Sequence, residues 1–308
     1  MAIKLKNQPP GVHFAVFFGL TVGMILVNLL VNDIFFSKMP NIFTDRAFTA
    51  AELNKYKWFQ FVSTIMIFGI PPIVYGIMSD EQPMQYLGVK RSAHAGFLFF
   101  TILLLVAVQP MAMVLGEWNQ HANFGSEIRK LEDASNKAMT RFLVMHSPTD
   151  LLINLLVVAV LPATVEELFF RGGLQNILER WTQRPVIAIT LSSLLFSLFH
   201  LSFYKILPIF LLGAVLGTLF YITRNLWYSI FFHFVNNTMA LLANYYAQRN
   251  EFMKKLADDD VQLSWWVGLI SLVITVALFY LLRRRFPYKP LDRAWLQNSF
   301  NNEFNNPR

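Results

Sequence analysis

The chain has 308 residues, 55% of them hydrophobic and 15% charged, with 30 Phe, no Cys and a formal net charge of +7. Soluble domains carry about 25% charged residues, so this composition belongs in a bilayer, and the lack of cysteine excludes disulfides, thiolate nucleophiles, Cys-ligated zinc and iron–sulfur clusters. No nucleic-acid partner is expected from the positive balance, because the basic residues lie scattered between apolar runs and gather only at Arg283, Arg284 and Arg285, as membrane-surface charges do.

In chain order, eight apolar runs have about the 20-residue length that crosses a bilayer as a helix. They are Val12–Val31, Trp58–Met78, Gly96–Leu115, Leu151–Phe170, Val186–Phe203, Ile206–Ile222, Leu226–Tyr245 and Trp265–Leu282. The first is too long for a signal peptide and is kept as a span. Two polar insertions, Asn32–Lys57 and Glu117–Asp150, separate the runs, and "SEIRKLEDASNKAMTRFLVM" within the second predicts an amphipathic surface helix. The expected fold class is all-α, a polytopic membrane bundle forming one domain over 1–285 with a core at 150–245. The Asn-rich segment 286–308 is expected to be a polar, poorly ordered cytoplasmic tail. Lys4, Lys6, Lys90, Arg91, Arg180, Arg184, Arg224 and the triple arginine fall on one side, which places both termini in the cytoplasm.

One stretch breaks the pattern. "VEELFFRGGLQ" puts Glu166, Glu167 and Arg171 at the end of an apolar run, where each charge costs about 2.5–3.5 kcal/mol on insertion scales. Glu167 and Arg171 are four residues apart, stacked on one helical face and able to pair, whereas Glu166 points about 100° away and has no local partner. Either all three snorkel to the interface, or one carboxylate is structural and the other available. Downstream, "FSLFHLSF" sets His200 four residues after Phe196, and "FFHFVNN" sets His233 four residues before Asn237. Each histidine taken singly is ordinarily a hydrogen-bonded packing residue. The other four (His13, His94, His121, His146) lie at run ends or in polar loops and receive no role.

Together these residues resemble a known family. "EELFFR" fits EExxxR, "FSLFH" fits FxxxH and "HFVNN" fits HxxxN of the CAAX prenyl protease and bacteriocin-processing (CPBP, or Abi) family of intramembrane endopeptidases, in the family's order. The resemblance covers about Asp150 to Tyr245 and includes "FLLGAVLGTLF". It implies an endopeptidase in which Glu166 and His200 activate water while His233 and Asn237 steady the oxyanion. That division of labour is chemically sound, since peptide hydrolysis needs a base and donors aimed at the tetrahedral oxygen. Glu167 paired with Arg171 would support the site together with Phe196, and Gly213 and Gly217 form a small-residue pair that suits close helix packing.

Alternatives stay open at this level. Glu166, His200 and His233 could instead form a three-ligand catalytic zinc site with water in the fourth position, although HExxH is absent; a metal-independent, glutamate-dependent hydrolase is the expectation. A non-catalytic scaffold or immunity factor of the same fold would show the same spans. A transporter would explain intramembrane charge, but no inverted repeat of interrupted helices is visible. A haem or quinone protein would leave the paired Glu unused. The expected partners are a peptide or protein substrate at the membrane and the lipid bilayer; the expected location is the cell membrane, bacterial because no organellar targeting signal is visible. At 1.5 Å per residue, Glu166 and His233 fall about 10 Å from the ends of their runs and His200 about 20 Å, a mismatch within a supposed common site.

Overall fold

A computed structural model describes residues 5–285, apart from 38, 45, 47, 91–92 and 259–262. The proposed tail 286–308, Lys4 and Arg91 lie outside the described residues. Ten main helices carry the fold: α1 Pro10–Phe36, α2 Ala50–Ser79, α3 Ala95–Gln120, α4 Ser126–Phe142, α5 Pro148–Thr182, α6 Pro185–Phe199, α7 Phe203–Thr223, α8 Leu226–Ala247, α9 Glu251–Asp258 and α10 Trp265–Arg285. No strand occurs among the described residues. The protein is an all-α, polytopic bundle.

Six of these helices are long and apolar enough to cross a membrane: α1, α2, α3, α5, α7 and α10. Helix α6 is apolar but shorter. Helix α8 has 22 residues, but His233, Asn236, Asn237 and Asn244 make it more polar than a typical span. These two carry the second and third motifs; in α8, hydrophobicity has been traded for chemistry where the site lies.

The boundaries of the fourth and fifth runs need correction. Helix α5 does not end near Phe170 but continues to Thr182, and α6 stops at Phe199 instead of Phe203. The mismatch between Glu166 and His200 then disappears. Glu166 lies 16 residues before Thr182 and His200 lies 15 residues after Pro185, about 24 Å and 22 Å along helices joined by a two-residue turn. It is Glu166, not His200, whose depth the apolar run misplaces.

Prolines shape three helices. Pro71 and Pro72 in α2 follow a π turn at Ile65–Gly69, and Pro162 in α5 follows one at Leu155–Val160. A prolyl nitrogen cannot donate to the carbonyl four residues back, and a wider turn absorbs the misfit. In α3 the remedy is external. One residue after Pro110, the Met111 N–H donates to Ser271 Oγ of α10 at 3.2 Å, and the Ser271 hydroxyl donates to the Ala107 carbonyl at 2.5 Å, so a side chain bridges the interrupted ladder.

Helix α5 is the axis of the bundle. Its residues from Leu168 to Glu179 are all buried, including Arg171 and Gln175 at 0% exposure. It runs parallel to α7, because Arg171 Nη2 donates to the Gly213 carbonyl (3.0 Å), Gln175 Nε2 donates to the Gly217 carbonyl (3.0 Å), and Glu179 pairs with Arg224 just past the end of α7. The expected close packing at the glycine pair is present: a Cβ on Gly217 would lie 2.8 Å from Gln175 Oε1, and one on Gly213 would lie 3.2 Å from Phe196 and Ser193. Several of the basic residues assigned to one side do share one end of the bundle. There Lys90 Nζ donates to the Thr223 carbonyl, Arg180 donates to Tyr86 Oη, and Tyr86 meets a buried His13–Tyr75 hydrogen bond. His13 is thus a buried packing histidine of this end.

At the opposite end α4 is the amphipathic helix anticipated from "SEIRKLEDASNKAMTRFLVM". One face is tied to the α6–α7 corner: Ser202 Oγ donates to Glu132 (2.6 Å), Lys205 Nζ donates to Asn136 (2.8 Å), and the Arg129 guanidinium lies 3.9 Å over the Tyr204 ring. Its other face, with Ser135, Ala138, Met139 and Phe142, roofs a cavity.

Candidate active site

The cavity beneath α4 has a volume of about 590 Å³, and its walls come from α2, α4, α5, α6 and α8. Of the residues singled out by sequence, Glu166, His200, His233 and Asn237 all line it. Glu167, Arg171 and Phe196 stand behind them.

Glu167 is fully buried and committed. Its Oε1 accepts from Arg171 Nη1 at 2.8 Å and faces His233 Nδ1 at 3.0 Å. The four-residue spacing therefore produces the expected ion pair, and in a dry interior such a pair is tolerated only with further hydrogen bonds, which the Gly213 carbonyl and His233 supply. Arg171 also lies 4.5 Å above the Phe196 ring. Glu166, one residue earlier, points elsewhere. Its Oε2 is buried, makes no hydrogen bond and lies 4.0 Å from His233 Nε2. Identical side chains in adjacent positions are thus separated by helical geometry into a locked carboxylate and a free one. A freely snorkelling triplet is excluded by the burial of Glu167 and Arg171.

The two histidines are oriented by their first ring nitrogens. His200 Nδ1 lies 2.8 Å from the Phe196 carbonyl, which only accepts, so this nitrogen carries the proton and leaves Nε2 as a lone pair in the neutral ring. The chain turns sharply just beyond, with Leu201 at φ +51°, a conformation that branched side chains seldom adopt and that ends α6 at the histidine. His233 gives Nδ1–H to Glu167, so its Nε2 donates only when the ring holds both protons. The Phe196 ring touches both imidazoles, at 4.7 Å from His200 and 5.7 Å from His233. Asn237, one turn after His233, donates from Nδ2 to the Val158 carbonyl at 3.3 Å. Val158 lies in the π turn that precedes Pro162.

Among the described residues no three His, Asp or Glu side chains come close enough to hold a metal ion, and Glu166, His200 and His233 are no exception.

With this geometry in place, comparison with known proteins is informative. Residues 148–239 match the family model described as "Type II CAAX prenyl endopeptidase Rce1-like". The motif-bearing segment is therefore similar to the CAAX proteases. The match begins at the first residue of α5 and ends within α8, so it takes in α5, α6, α7 and the part of α8 that bears His233 and Asn237. No curated protein and no solved structure gave a significant match. Within the matched segment lie residues that the sequence motifs do not include. Gln175 and Glu179 continue the four-residue series begun by Glu167 and Arg171, a periodicity present in the sequence. Asn236, beside Asn237, signals itself only through its partner on α3.

Proposed function

We propose that the protein is an intramembrane endopeptidase of the CAAX protease type that hydrolyses a peptide bond of a membrane-associated peptide or protein in the cavity roofed by α4. The reading rests on one observation: two adjacent glutamates are divided into one locked by Arg171 and His233 and one, Glu166, left without a hydrogen bond among His200, His233 and Asn237. In this scheme Glu166, with the His200 Nε2 lone pair, takes a proton from water as its oxygen attacks the scissile carbonyl. The Asn237 Nδ2–H and, when doubly protonated, the His233 Nε2–H donate to the tetrahedral oxyanion. The carbon–nitrogen bond then breaks, and the proton held by the base passes to the leaving amine.

Glu166→Gln tests this. Loss of the base should lower hydrolysis by about 10²–10⁴-fold, while folded yield stays at the wild-type level because Glu166 Oε2 has no hydrogen bond to lose. Retention of full biological activity by Glu166→Gln would instead favour a non-catalytic membrane factor built on the same fold.

A further inference from the structure

The donor on Asn237 is useful only if the carboxamide is the right way round, because its Nδ2 and Oδ1 ends have nearly the same shape and opposite polarity. Three amides in a row decide this. Asn237 Nδ2 donates to the Val158 carbonyl (3.3 Å), Asn236 Nδ2 donates to Asn237 Oδ1 (3.4 Å), and Gln109 Nε2 on α3 donates to Asn236 Oδ1 (3.0 Å). A main-chain carbonyl accepts and never donates. Asn237 must therefore turn its NH₂ toward Val158, which leaves Oδ1 for Asn236; Asn236 must then turn its NH₂ toward Asn237, which leaves its own Oδ1 for Gln109. A single main-chain carbonyl, in the π turn before Pro162, thus sets the polarity of the whole row, and Gln109 closes it from the far end.

We propose that Gln109 and Asn236 are positioning residues that hold the Asn237 carboxamide with its NH₂ facing Val158 and the cavity. One N–H is then spent on Val158, and the second remains for the reacting oxygen. This rests on the assignment of Asn237 as an oxyanion donor. It extends the site to α3, outside the matched residues 148–239.

Isosteric variants of Asn236 separate polarity from packing. Asn236→Asp offers only acceptors, so Asn237 is drawn to flip and give its NH₂ to Asp, turning Oδ1 toward the cavity. Asn236→Leu removes both hydrogen bonds but imposes no polarity, and Asn237 keeps its Val158 bond. The full chain in proteoliposomes is assayed with an internally quenched peptide bearing a prenylated CAAX terminus. We expect Asn237→Ala and Asn236→Asp each to lower kcat by about 10²-fold, the loss associated with one oxyanion donor, with KM within about twofold. Asn236→Leu and Gln109→Leu should fall in between, at about tenfold. A merely structural role predicts the reverse order, with Leu at 236 at least as damaging as Asp, and that order would overturn the proposal. If Asn237→Ala leaves kcat unchanged, the oxyanion assignment fails instead.

A measurement without substrate runs in parallel, on carboxamide ¹⁵N–H₂ resonances of asparagine-labelled protein, the Asn237 pair being identified by its loss in Asn237→Asp. In the wild type the two protons should exchange with water at different rates, one held by Val158 and one open to the cavity. Asn236→Asp and Gln109→Leu should both move this pair; unchanged resonances in both would overturn the orientation row whatever the peptide assay gives.

Discussion

Helices α5 and α10 have nearly the same hydropathy over their most apolar windows, 1.9 and 2.2, yet 39% of the first window is buried inside the protein and 22% of the second. Apolarity does not tell which helix is central, because lipid is as good a solvent for Leu as the core is. What distinguishes them is where the polar and small residues sit. In α10, Gly268, Ser271 and Thr275 form a narrow stripe turned inward, while Val273, Ile274 and Val276 are exposed. In α5, Glu167, Arg171, Gln175 and Glu179 form a continuous charged and amide stripe, each member buried. The inward face of α10 is its less hydrophobic face, inverting the rule for soluble helices. A helix acquires a central place by carrying groups that lipid cannot satisfy.

This contrast can be broken at either helix. Arg171→Ala should have the largest effect on folding, about 3–5 kcal/mol, because it strands the buried Glu167 carboxylate; thermal unfolding in detergent measures it, and a wild-type midpoint would show that the stripe is not what holds α5. Gly217→Leu comes next. Its Cβ would fall 2.8 Å from Gln175 Oε1, and forced overpacking of this kind costs about 1–3 kcal/mol. On α10, Ser271→Ala removes the hydroxyl that bridges Ala107 and Met111, which should lower stability by about 1 kcal/mol and loosen α3 beside Pro110, visible as faster amide exchange at Met111. Val273→Leu on the exposed face of the same helix should change stability by less than about 0.5 kcal/mol. Equal losses for the α10 pair would contradict an inward face defined by Ser271.

The sequence reveals these features unevenly, for physical reasons. Eight apolar runs announce the bundle, since a bilayer requires them. The Glu167–Arg171 pair follows from a local spacing of four, and the three motifs bring the cavity residues into one reading. The continuation of α5 from Arg171 to Thr182 was not visible, because Arg171, Gln175 and Arg180 look like the approach to a membrane surface. They are instead satisfied by the Gly213 and Gly217 carbonyls and by Tyr86, residues supplied by other helices. Gln109 was hidden for a related reason. Its partner Asn236 is 127 positions away, and a pairing at that distance leaves no periodic trace in either helix.

The roof of the cavity has a consequence for supply. In the proposed reaction each hydrolysis takes up one molecule of water, at a site built on membrane-type helices. A volume of about 590 Å³ corresponds to on the order of 20 water molecules at the liquid's share of about 30 Å³ each. Filled with water, a chamber of this size would serve the proposed hydrolysis as a reservoir, each reaction drawing on a small part of the stock. The helix above it is the amphipathic α4, on which Lys130 and Glu127 are exposed. Glu166 thus lies about 24 Å along α5 from the Thr182 end, beneath an amphipathic helix and not an apolar one.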